Sequence, residues 1–142
     1  MTQPPEPTPA RRSPLSSGLT PELTLTTVNV GAPDPGALAR FYERLLGWKI
    51  TREEADDVML GPPGGGVGLS FQREVDHVRP QWPAGPGEQQ MMMHLELRVD
   101  DLAAATAFAL ETGATLADSQ PQDDVRVCLD PAGHPFCLWI ES

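Results

Sequence analysis

The chain predicts an α+β fold built from two copies of one βαβββ unit, and three observations carry that prediction. Met91, Met93, Leu95, Leu97 and Val99 alternate with His94, Glu96 and Arg98, the period-2 pattern of a strand with one apolar face. Asp100-Asp101 then offers an N-cap to Leu102–Glu111, a run of strong helix formers that Gly113 stops. The same pattern occurs once before. Thr27–Asp34 lies over His94–Asp101, Phe41 superposes on Phe108, and Gly47 meets Gly113 after a one-residue deletion.

A length of 142 residues supports one domain with a core, not two independent ones. Twenty acidic against ten basic residues give a net charge of −10. That balance argues against nucleic-acid binding, which needs clustered Lys and Arg, and is compatible with a cationic ligand. No apolar run approaches a membrane span, so no membrane partner is expected. Residues 1–21 are rich in Pro, Thr and Ser and read as a disordered tail. Arg11-Arg12 has no hydrophobic segment after it, so it is not read as an export signal, and a cytoplasmic location is the default. The domain is then 22–142, with module one at 22–75, a linker at 76–90 and module two at 91–142.

Module one begins with a strand over Leu23–Val30 that places Thr27 and Asn29 on its polar face. Pro35 suits the first position of a helix whose apolar stripe is Leu38, Phe41, Tyr42 and Leu45. Gly47 ends that helix, and strands follow over Trp48–Glu53 and Asp56–Leu60. The run Gly61–Gly66 leads into a strand and lacks a following Lys-Ser/Thr, so it is a hairpin turn and not a phosphate loop. Val67, Leu69 and Phe71 alternate with Gly68, Ser70 and Gln72 in the module's last strand. In the Pro- and Gly-rich linker, Trp82 is expected to anchor on the core, with a ligand-facing lid as the alternative.

In module two, strands are expected at Ala114–Ala117, Val125–Leu129 and Pro135–Glu141, with a turn at Asp130-Pro131-Ala132-Gly133. Laying GPPGGGVGLSFQ over DPAGHPFCLWIE matches Val67/Phe136, Leu69/Leu138 and Phe71/Ile140. The repeat therefore reaches the end of each module. The register suggested by the turn sets Cys137 opposite Arg126. Cys128 and Cys137 are then diagonal and read as reduced core or cleft residues.

FYERLLGW after a strand and an Asp-containing turn, then HLELRVDDL, then DPAGHPFCLWI, resembles the vicinal-oxygen-chelate superfamily of glyoxalase, bleomycin-resistance and extradiol-dioxygenase proteins. The likeness is strongest to its small glyoxalase-like members and covers Leu23 to Ile140. It implies two modules whose curved mixed sheet encloses a cleft, with helices on the convex side. Val28, Val30, Leu95, Leu97, Val127, Phe136 and Leu138 would pack on the helices. Thr27, Asn29, His94, Glu96, Arg98, Arg126, Cys137 and Trp139 would line the cleft. Metal-dependent members take His, Gln or Glu ligands from two first-strand and two last-strand positions. Carried over, these are Thr27, Gly68, His94 and Cys137, of which only His94 is a ligand of the usual kind. Homodimers are common in such families, and one is expected here.

The sequence thus reads as a glyoxalase-like protein that binds a small organic molecule in its cleft, a sequestering role of the resistance type. The family's catalytic metal is not expected; if a divalent metal binds, His94 and Cys137 are its candidates. Ligand contacts are assigned to Thr27, Asn29, Arg98, Arg126, Cys137, Trp139 and Trp82. The alternative is an enzyme (lyase, isomerase or dioxygenase) using His94 as metal ligand or general base with Glu96 orienting it.

Overall fold

The computed structural model describes residues 20–141. All but the last two residues of the expected Pro-rich tail lie outside that range. Module one runs β1 (Thr27–Ala32), α1 (Pro35–Leu46), β2 (Lys49–Glu54), β3 (Asp57–Gly61) and β4 (Gly68–Arg73). Module two repeats it as β5 (Leu95–Arg98), α2 (Leu102–Thr112), β6 (Thr115–Leu116), β7 (Val125–Leu129) and β8 (Pro135–Trp139). Each module folds a four-stranded mixed sheet, ordered β1-β4-β3-β2 and β5-β8-β7-β6. In both, the first strand pairs in parallel with the last and the other pairings are antiparallel. The fold class is therefore α+β with two βαβββ units, as the repeat predicts.

The helix boundaries follow from their caps. Asp34 and Asp101 each accept a hydrogen bond from the backbone N–H three residues on, at 3.1 and 3.0 Å. Gly47 closes α1 in the left-handed region at φ 70°, where a residue with a Cβ would be strained. Gly113 does the same for α2 at φ 129°.

Both first strands begin later than the alternation suggests. Leu23 and Leu25 are exposed, because β4 starts at Gly68 after a glycine turn and offers nothing for them to pair with. Met93 is 73% exposed, because Leu95 is opposite Phe136 and the next residue outward, Pro135, has no N–H to extend the ladder. Alternation sets which face a side chain takes, but only a partner strand makes the strand.

The apolar faces of both sheets and α1 share one core. Phe41 packs against Phe136 and Tyr42 stacks on Phe71, so α1 bridges the two modules. Val28 and Val30 lie partly buried against this core, as do Leu95 and Leu97. A second, smaller cluster of Ala117, Val127 and Cys137 sits apart from it.

Two expected registers are corrected. Val127 pairs with Cys137 and Arg126 with Leu138, so Val127 shares the face of Cys137 and Arg126 the face of the main core. The Arg126 guanidinium donates to the carbonyls of Gln122, Asp123 and Val125 and does not line the cleft face. In β1 and β4, Asn29 is opposite Ser70, while in β5 and β8 Glu96 is opposite Cys137. The counterpart of Cys137 is therefore Ser70, not Gly68. A slip of two residues leaves every side chain on its own face, so alternation could not detect it.

Candidate functional site

The polar faces of the two sheets carry corresponding pairs. In module one, Asn29 Nδ2 donates to Ser70 Oγ at 2.6 Å. In module two, His94, Glu96 and Cys137 bring their ligand atoms within 4.8 Å of one another, and His94 Nε2 lies 2.6 Å from Glu96 Oε2. Cys137 is buried, and its thiol is pushed up to about 11 by burial first and by the Glu96 carboxylate second. At neutral pH it is a thiol, not a thiolate.

Arg98 pairs with Glu141 at 3.3 Å in an exposed position, and Trp139 stands opposite both Arg98 and Val125. The Thr27 hydroxyl bonds only to that of its neighbour Thr26, at 3.3 Å, among the described residues. Trp82, expected to anchor on the core, is instead 40% exposed with its ring 4.7 Å from that of His94.

A cavity of about 520 Å³ lies in the seam between the modules. Its walls come from β1 (Val28 to Gly31), the linker around His77 and Val78, and the segment Met91–Leu95 that leads into β5. Neither β1 nor β5 is hydrogen-bonded to the other, so the seam between these edge strands stays open. Of the residues assigned to ligand contact from sequence, Asn29 alone lines this cavity, together with His94, which the sequence assigned to catalysis or metal binding.

The turn between β7 and β8 holds the seam together. Asp130 is buried, and its carboxylate accepts from Tyr42 Oη at 2.7 Å and from the backbone N–H groups of Ala132 and His134, both at 2.9 Å. Burial nevertheless raises its pKa above the usual carboxylate range, with those hydrogen bonds acting against the shift. His134 Nε2 donates to Gly31 O at 2.7 Å, and His77 Nε2 to Ala132 O at 2.8 Å. Module one, linker and module two are thereby tied at one point.

His77 in the linker and His134 in a turn fall on no strand's polar face, yet both line the cavity. Met91 and Met93, expected on the apolar face of the strand, lie before β5 and with Met92 form an apolar wall of the cavity.

The donor sets at the family's metal positions differ between the modules. With the register corrected, module one presents Thr27 and Ser70, two neutral hydroxyls, and Ser70 already accepts from Asn29. Gly68 could carry no ligand in any case: a Cβ there would stand 2.7 Å from Leu60 O. The four positions therefore do not fit the family's metal. His94, Glu96 and Cys137 remain as a three-donor group of a different composition, one that a divalent metal such as zinc can use.

Comparisons with known proteins agree with this architecture. The family model described as "Glyoxalase-like domain" matches residues 26–139. Among solved structures, a glyoxalase/bleomycin resistance protein/dioxygenase family enzyme from Burkholderia phytofirmans superposes with a TM-score of 0.62 at 19% identity, covering 83% of this chain and 98% of its own. A glyoxalase-related enzyme from Fulvimarina pelagi gives 0.60 at 19%, covering 83% and 88%. An antibiotic-binding protein from a Streptomyces species gives 0.58 at 19%, covering 87% and 99%. No curated protein matches the chain. At these identities the solved structures establish the fold, and both enzymes and a binding protein share it. No described helix is long and apolar enough to cross a membrane. On the family match across residues 26–139 and the two βαβββ modules, the chain belongs to the glyoxalase-like domain family.

Proposed function

We propose that this protein binds a small, largely apolar organic molecule in the seam cavity, without the family's catalytic metal. The observation that carries the reading is the cavity itself: about 520 Å³, its surface supplied mainly by aliphatic and thioether side chains with polar and acidic groups set among them. The run Met91–Met93 supplies flexible, polarisable side chains that adapt to more than one ligand shape. The fold shared with an antibiotic-binding protein supports a sequestering role.

Titration with a neutral aromatic compound, read by calorimetry and by tryptophan emission, tests it. Val78 is exposed on the cavity wall, so Val78→Trp should fold, fill the cavity and abolish binding. Undiminished binding in that variant would remove the cavity from consideration. The metal-free part is tested by elemental analysis after incubation with zinc, nickel, manganese or iron(II) and desalting. Stoichiometric metal in wild type that disappears in His94→Ala would overturn it.

A second reading rests on the 2.6 Å contact between His94 and Glu96. With Nε2–H donated to the carboxylate, Nδ1 holds the lone pair of a general base oriented by Glu96. Turnover of a bound compound that is lost in His94→Ala while its binding persists would establish this enzyme. Binding without turnover in wild type leaves the sequestering role.

A further inference from the structure

Resting on the reading of the seam cavity as a small-molecule site, we infer that its ligand is an organic cation: an ammonium or guanidinium group on an apolar body. The polar part of the wall is donor-poor. Tyr42 donates its hydroxyl to Asp130, and Asn29 donates its amide N–H to Ser70. His77 and His134 each give Nε2–H to a backbone carbonyl, which leaves their Nδ1 atoms as lone-pair acceptors. Gln89 and Gln90 also turn their amide nitrogens to the protein, towards Gln90 O at 2.9 Å and Met92 Sδ at 3.8 Å. Beyond the second N–H of each amide, these side chains offer a ligand acceptors.

The charged groups of the wall have one sign. Glu74 and Asp76 line the cavity, and no lining residue is Lys or Arg. Glu74 is placed by the absence of a side chain at Gly31, where a Cβ would meet Glu74 Cγ at 2.6 Å. Its stem therefore lies against the β1 backbone at the cavity wall. Val28, Val78 and Met91–Met93 supply the apolar surface for the rest of the molecule. A carboxylate ligand would meet repulsion and unpaired acceptors on this wall, and a neutral ligand would leave the acceptors unmatched.

Three probes of one skeleton test the inference by calorimetry at low salt: a naphthylalkyl ammonium ion, the corresponding alcohol and the corresponding carboxylate. The ammonium should bind about tenfold more tightly than the alcohol, and the carboxylate more weakly than either. Glu74→Gln/Asp76→Asn should erase the preference while the alcohol's affinity stays put. Asp118→Asn/Asp123→Asn, which removes equal charge from exposed positions that do not line the cavity, should retain it. If the alcohol binds as tightly as the ammonium, or the remote pair erases the preference as well, the inference falls and the small-molecule reading survives. If none of the three binds, both fall.

Discussion

The two modules share a backbone plan and differ in what they bury. In α1, Pro35, Leu38, Ala39, Phe41 and Tyr42 are buried, whereas in α2 only Ala109 is. Phe41 and Phe108 occupy corresponding places in the repeat, yet Phe41 is 1% exposed and Phe108 46%. Helix α1 packs on its own sheet and on α2, and its aromatic pair touches both Phe71 of the first sheet and Phe136 of the second. Helix α2 packs on the second sheet and on α1 but reaches no described strand of the first. A repeated motif thus specifies local structure twice but the shared core only once, since one helix is enough to fill it.

The largest test of that comparison is a matched truncation. Phe41→Ala should cost about 3–5 kcal/mol in urea denaturation, and Phe108→Ala no more than about 0.5 kcal/mol. Equal costs would mean that α2 carries as much of the core as α1. Tyr42→Phe comes next, at about 1–3 kcal/mol, because it takes away a donor from the buried Asp130 carboxylate and loosens the tie between modules. The sign with pH follows from Asp130. Burial raises its pKa in the folded state while the Tyr42 hydrogen bond lowers it, so the hydroxyl matters most to the ionised form. The Tyr42→Phe deficit should therefore shrink as the pH falls through the titration of Asp130.

A smaller effect addresses what the modules have in common. Asp34→Ala and Asp101→Ala each remove one N-cap of the same geometry and should each cost about 1 kcal/mol. A much larger loss at Asp34 would show that the cap transmits the burial of α1 and is not a local device.

The last test concerns the polar faces, where module one pairs Asn29 with Ser70 and module two pairs Glu96 with Cys137. Burial lifts the thiols of Cys128 and Cys137 from 9.0 to about 11. Both should stay unmodified by a thiol reagent at neutral pH until the protein is unfolded. Because the folded value exceeds the unfolded one, their contribution to stability is complete below pH 9.0 and is lost as the pH rises through about 11. Rapid native-state modification of Cys137 would mean that its face of the sheet opens to solvent.

The sequence by itself determined the two βαβββ units, the caps that bound both helices, the faces of most strand residues and the family. These are local properties: alternation, a capping Asp, a glycine at a helix end and motifs of a few residues are all readable along one stretch of chain. Tertiary structure decided the rest. It set the register of β4 and β7, since alternation cannot tell a two-residue slip and a turn's residue chemistry does not fix which residues face each other. It left Phe108 half-exposed and put Phe41 in the core, although the repeat sets the two in corresponding places. It also made the seam cavity, whose walls bring Gly31, His77, Met91 and His134 together. Those residues are distant in sequence and share no motif, so only the packing of one module against the other, tied through Tyr42 and Asp130, places them around the same space.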